Sequence, residues 1–281
     1  VTTTITRRQF LGRGAILCAA VAMPIRPAQA AIANLNDAIN KAGRIRMLSQ
    51  RMAKAYCQVG QNVLAAKSSR TLELSIKLFQ EHLDELKAFA PSAEIGATYA
   101  ELETIWRRYR KLLAGAPSLV NARLIAQINE DALRLAHQGT TQLESASGSS
   151  VGRLINISGR QRMLSQRMAK FYTFRQWGIG APDMDEQAQI AQRDFLESME
   201  VLTHAPENTD KIASELSLVQ TQWIFFEQAL NRQSIGDKDP TYAANVATTS
   251  ERILEVMDRV TSLYAQLSSP AASASNRSAR R

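Results

Sequence analysis

The segment GRIRMLSQRMAK at residues 43–54 recurs as GRQRMLSQRMAK at residues 159–170, with Ile45 replaced by Gln161 and every other position the same. The copies lie 116 residues apart, and the same offset pairs Ile39 with Ile155, Asn40 with Asn156, Tyr56 with Tyr172, Phe79 with Phe195 and Asn129 with Asn245. Trp106 falls near Trp223, one residue out of register. Two domains of about 115 residues explain this spacing best. Outside the block the copies diverge, as core positions do when volume and pattern are kept. Near-identity in a polar block signals a constraint that the rest lacks, although recent partial gene conversion would leave the same trace.

Each copy reads as four helices. In the first they are expected near residues 32–66, 69–89, 92–114 and 118–146, broken at Ser68-Ser69, Pro91 and Gly115-Ala116-Pro117. The second gives residues 151–177, 183–204, 207–232 and 239–267, with Gly178 to Pro182, Pro206 and Gly236 to Pro240 between them. No strand-like alternation competes, and short connections favour up-down-up-down bundles. The fold class is therefore all-α, as tandem four-helix bundles arranged as a pseudo-twofold pair. The domains are residues 31–146 and 151–267, joined by a polar linker at 147–150. Leu35, Ala38, Ala42, Ile45, Ser49, Met52, Tyr56, Val59 and Val63 alternate at spacings of three and four, a stripe that should face the core. Trp106, Tyr109, Leu112 and Leu113 should join that core, as should Trp223, Phe226 and Leu230.

Beside the stripe, Gly43, Arg46, Gln50 and Lys54 share a second helix face, matched by Gly159, Arg162, Gln166 and Lys170. A glycine inside a helix costs about 1 kcal/mol relative to alanine, and close approach of another backbone or a ligand is its natural compensation. Four antiparallel helices begin and end at the same end of a bundle. A short linker would therefore release the second copy's first helix beside the first copy's, with Arg46 and Arg162 facing each other. Two guanidiniums on such a seam repel unless an anion or acid lies between them, and their planar forks suit carboxylate, nitrate or phosphate oxygens. The competing reading is structural: Arg44, Arg46 and Arg51 pair with acids such as Glu73, Glu81, Asp84 or Glu101 while Lys54 is solvated.

The chain has 281 residues, 45% of them apolar, and a formal charge of +8. Seven of those charges sit at the two ends, on Arg7, Arg8, Arg13, Arg26, Arg277, Arg280 and Arg281, which leaves +1 for residues 31–276. A body so near neutrality offers no broad basic face for nucleic acid. Residues 1–30 carry TRRQFL at 6–11, an apolar stretch from Ala15 to Met23, and Ala28-Gln29-Ala30 before Ala31. This resembles a twin-arginine export signal. It implies passage through the twin-arginine export machinery to the periplasm, or membrane anchoring if the segment stays uncleaved. The tail at 268–281 is low in complexity and is expected to be disordered. Cys18 lies in the signal, which leaves Cys57 with no disulfide partner and a buried small side chain as its expected role. The three histidines, His82, His137 and His204, form no metal-ligand pattern, and no phosphate loop, nucleophile elbow or dinucleotide fingerprint occurs. The chain reads as a non-enzyme with no cofactor.

At residues 39–53 and 155–169 the chain resembles the NarX/PilJ-like N-terminal sensor domain, the periplasmic four-helix module of nitrate and nitrite sensor kinases and of type IV pili chemotaxis transducers. The resemblance implies an anion, nitrate or nitrite foremost or else a small carboxylate, held between first helices by Arg46 and Arg162 against Gly43 and Gly159. Arg51 and Arg167 would be the motif's second arginines, with Gln50 and Gln166 alongside. Arg44, Arg160 and the Leu-Ser-Gln that follows Met47 and Met163 depart from the nitrate-sensor form and lie closer to the pilus-transducer branch. With no kinase, cyclase or methyl-accepting region after Leu267, a signal would pass to a separate membrane signalling protein. The alternative is a structural or protein-interaction module of a signalling or pilus-related system.

Overall fold

The computed structural model describes residues 32–180, 183–231 and 240–267. The expected export segment, the tail and the break at Gly236 lie outside those residues. Among the described residues eight helices follow in order: α1 Leu35–Gly60, α2 Ala65–Phe89, α3 Ala93–Leu113, α4 Leu119–Ser147, α5 Ser150–Gln176, α6 Met184–Thr203, α7 Asp210–Asn231 and α8 Pro240–Gln266. No strand occurs among the described residues, so the architecture is an all-α helical bundle.

Local chemistry sets the helix ends. Asn34, Ser92, Ser118 and Ser149 each stand in extended backbone before a helix, and the side-chain oxygen of each accepts from the amide three residues on. Each bond satisfies an amide that the helix itself cannot, worth about 1 kcal/mol. Gly148 ends α4 with φ of 57°, a left-handed value that glycine adopts without cost. Ser149 then caps α5, so the connection shrinks to two residues. The first break is misplaced in the sequence reading. Ser68 and Ser69 lie inside α2, and the chain turns instead at residues 61–64, where Asn62 and Leu64 take positive φ.

Helix α1 packs against α2 and α4, α3 packs on α4, and α2 touches α3. The second set matches it: α5 packs against α6 and α8, and α7 packs on α8. The most extensive contact of all is α1 against α5. The predicted stripe is buried apart from Leu35 and Val59, which are partly exposed. Phe79 stacks on Trp106 at 4.2 Å between ring centroids, and Phe195 stacks on Trp223 at 4.5 Å, so equivalent aromatic pairs sit in both halves. Each such pair contributes about 1 kcal/mol beyond its burial.

Candidate functional site

Helices α1 and α5 cross at their glycines. A Cβ built on Gly43 would lie 3.6 Å from the Gly159 Cα, and one on Gly159 would lie 3.7 Å from the Gly43 Cα. Toward the far end of both helices, Gly60 lies under the Trp177 indole. Contacts that advance together along both sequences mean that the two helices run parallel. The absence of both side chains is what lets the backbones come this close.

Close approach puts two guanidiniums in the seam. Arg46 Nη2 donates across it to the Asn156 carbonyl at 3.2 Å and to Asn156 Oδ1 at 2.6 Å. Arg162 Nη2 reciprocates, donating to the Asn40 carbonyl at 3.2 Å and to Asn40 Oδ1 at 3.0 Å. Both arginines are fully buried. Their remaining partners differ. Arg162 Nη1 donates to Asp258 Oδ1 at 2.6 Å, whereas Arg46 Nη1 meets His137 Nδ1 at 3.2 Å. Among the described residues, the Nε of each arginine finds no hydrogen-bond partner. Burial, reinforced by the charge of Arg162, pushes the Arg46 guanidinium down to about 9. Burial lowers Arg162 to about 10 while Asp258 opposes the fall. His137 is pushed down to about 4 by burial and by Arg46, so it stays neutral and can accept from Arg46.

Farther along, each half clasps the other through a lysine. Lys54 Nζ on α1 donates to Glu251 Oε1 on α8 at 2.7 Å and to Ser250 Oγ at 3.1 Å, and Arg51 forks onto the same carboxylate. Lys170 Nζ on α5 donates to Glu130 Oε1 on α4 at 2.5 Å and to Asn129 Oδ1 at 2.8 Å, and Arg167 Nη1 reaches Glu130 Oε2 at 2.7 Å. Burial alone would raise the Glu251 carboxyl, but the Lys54 and Arg51 charges outweigh it and hold it at about 2. Burial lowers the Lys170 ammonium to about 8 against the pull of Glu130. Gln50 Nε2 donates to Ser49 Oγ and Gln166 Nε2 to the Ser250 carbonyl, and the Oε1 of each glutamine is buried without a partner among the described residues.

The block is thus brought together, but its acids are not those named from the sequence. Arg44 pairs with Asp258 and Arg51 with Glu251, both on α8, while Glu81 pairs with Lys77 and Glu101 with Arg134. Lys54 is buried, not solvated. The decisive partners missed in the sequence are Asn40, Asn156, Glu130, His137, Glu251 and Asp258. Asn40 and Asn156 recur at the repeat offset and could have been read as its polar anchors. Among the described residues, no three His, Cys, Asp or Glu side chains gather as a metal site.

The family model of the type IV pili methyl-accepting chemotaxis transducer N-terminal domain, PilJ, matches residues 31–133 and again residues 143–249. The chain belongs to the PilJ family. No curated protein and no solved structure matches it. A PilJ-family chain is a non-catalytic sensor-type domain, in keeping with a site made of buried cations, amides and carboxylates. No described helix is long and apolar enough to cross a membrane.

Proposed function

We propose that this chain is an exported, non-catalytic signalling module in which the arginine block locks two tandem copies together and presents them to a separate signalling partner. The copies span residues 31–146 and 151–267, each an up-down four-helix bundle, paired about a pseudo-twofold axis that passes between Gly43 and Gly159. The segment at 1–30 directs the chain to the periplasm. One observation carries the reading: each buried arginine spends a guanidinium nitrogen on the asparagine of the opposite helix, Arg46 on Asn156 and Arg162 on Asn40. An arginine so engaged is a fastener between helices. Charge-assisted bonds of this kind are strong once water is excluded, and losing one partner strands the other.

A second reading is favoured by the two unbonded Nε atoms and because, among the described residues, no carboxylate pairs with Arg46. A small planar anion, nitrate or nitrite, would supply the missing acceptor and the missing negative charge. Arg46, Arg162, Gly43 and Gly159 would touch it, and Arg51, Arg167, Gln50 and Gln166 would flank it. The two readings separate in one experiment on the chain and its Arg46→Ala, Arg162→Ala variant, combining thermal unfolding with calorimetric titration by nitrate and nitrite. The fastener predicts a lower melting temperature in the variant and no saturable anion heat in either protein. One anion bound per chain by the parent and none by the folded variant would overturn the fastener in favour of the sensor.

A further inference from the structure

The two halves differ most where each lysine clasp meets the start of the next helix. Around Lys54 and Glu251, the first half is closed, with a residual space of about 10 Å³ bordered by Gln58, Leu64, Ser68 and Glu251. Ser68 Oγ donates to Gln58 Oε1 at 3.2 Å and to the Val63 carbonyl at 3.0 Å, which holds the turn down on α1. Around Lys170 and Glu130, the equivalent place in the second half is a cavity of about 560 Å³.

The sequence explains the opening. At the repeat offset, Phe174 stands for Gln58 and Met184 for Ser68, so the polar bond that closes the first half has no counterpart. Helix α6 begins at Met184, three residues later than the start of α2 at Ala65 would place it. A volume of about 300–1,000 Å³ is the range of small-molecule sites.

Its lining has two faces. Phe171, Phe174, Ile179 and Met184 form an apolar floor. Arg123, Arg167 and Lys170 supply three cations against the two acids Glu130 and Asp183. Both Glu130 oxygens are already taken, by Lys170 and by Arg167. Arg123, exposed on α4, makes no ion pair among the described residues. The phenyl face of Phe171 is occupied by the Lys170 ammonium at 4.3 Å, with Arg167 at 4.9 Å, so a further cation would meet charges of its own sign.

We propose that this cavity between α4, α5 and α6 binds a small organic monocarboxylate with a flat apolar body. The body lies on Phe174, Ile179 and Met184, and the carboxylate faces Arg123 and Arg167. The cavity does not contain Arg46 or Arg162, although Arg167 on its rim also flanks the seam and the cavity lies where the two halves meet.

Benzoate is a suitable probe, with acetate and benzyl alcohol as partners lacking the ring or the charge, all titrated calorimetrically into the full chain at constant ionic strength. One benzoate per chain is expected, bound at least about tenfold more tightly than benzyl alcohol, a gap of about 1.4 kcal/mol, with no saturable acetate heat. Ala126→Trp, which fills the cavity, and Arg123→Glu, on an exposed rim position, should each weaken benzoate about tenfold or more with helicity unchanged. No saturable benzoate heat, equal affinity for benzyl alcohol, or binding unaffected by both cavity variants would overturn the proposal.

Discussion

Replacing Glu251 by glutamine isolates the clasp between α8 and α1. Gln keeps the shape but removes the charge that faces Lys54, whose side chain is 1% exposed, and Arg51. The Glu251 carboxyl is 13% exposed and is held at about 2 rather than 4.5. A depression of that size corresponds to about 3 kcal/mol of folding free energy, and the general cost of stranding a buried charge, about 3–5 kcal/mol, agrees. The sign follows from linkage. Because the folded state holds the proton more weakly than the unfolded state, the stabilisation is complete above pH 4.5 and is lost as the pH falls through about 2. Glu251→Gln should therefore lower the melting temperature at pH 7 by about 6–12 °C and cost about 3 kcal/mol in urea unfolding followed by circular dichroism. The gap to the parent should close as the pH falls from 4.5 towards 2. Glu130→Gln should cost roughly half as much, since the Glu130 side chain is 43% exposed and water screens it. A difference below about 1 kcal/mol at pH 7, or one unchanged in acid, would refute the reasoning.

Three further outcomes follow from the seam. Gly43→Val should cost about 2 kcal/mol or more, because even its Cβ would stand 3.1 Å from Arg162 Nη2 and its methyls would enter the space of Gly159; Gly96→Val, whose nearest neighbour is the Ala90 Cβ at 3.8 Å, serves as the control in the same denaturation series. Asp258→Asn should cost about 1–3 kcal/mol, since it leaves the fully buried Arg162 without a carboxylate, an outcome that chemical unfolding at pH 7 reads directly. His137 is neutral when folded, at about 4, but protonates from 6.5 downward when unfolded, so the parent should lose stability as pH falls from 6.5 to 4. His137→Gln should lack that particular decline in a melting-temperature profile against pH.

The sequence carries the helix count because Pro91, Pro206 and the Gly115-Ala116-Pro117 break punctuate long apolar stripes, and helices end close to them. It hides the first turn. Nothing at residues 61–64 is a proline, and Asn62 adopts a left-handed conformation that its side chain permits but does not advertise. Gly43 and Gly159 were legible as points of close approach, since only contact compensates an interior helical glycine. The acids were not. A constant offset pairs Asn129 with Asn245, yet the contacts make Ser250 the counterpart of Asn129, Glu251 that of Glu130 and Asp258 that of His137. That slip of five residues between α4 and α8 sits beyond the reach of an α1 motif, because the matching chemistry is a geometric role and not a residue type.

Those counterparts show where the halves have parted. The cations are the same in both, Lys54 with Arg51 and Lys170 with Arg167, and so is the glutamate each pair shares. A symmetric homodimer must change both sides of its axis at once, since one residue serves in both places. Two copies in one chain escape that constraint. Here one guanidinium meets Asp258 while the other meets His137, and one clasp is sealed by Gln58 and Ser68 while the other opens over Phe174 and Met184. The open clasp is also wired inward. Lys170 bonds Asn129, and Asn129 Nδ2 donates at 2.7 Å to the Ser49 carbonyl of α1, inside the repeated block. A carboxylate drawing Arg167 away from Glu130 would loosen a bond set that reaches α1 from one side only. The seam would then shift unequally on its two sides even at full occupancy, whereas a symmetric pair of sites becomes symmetric again once both are filled.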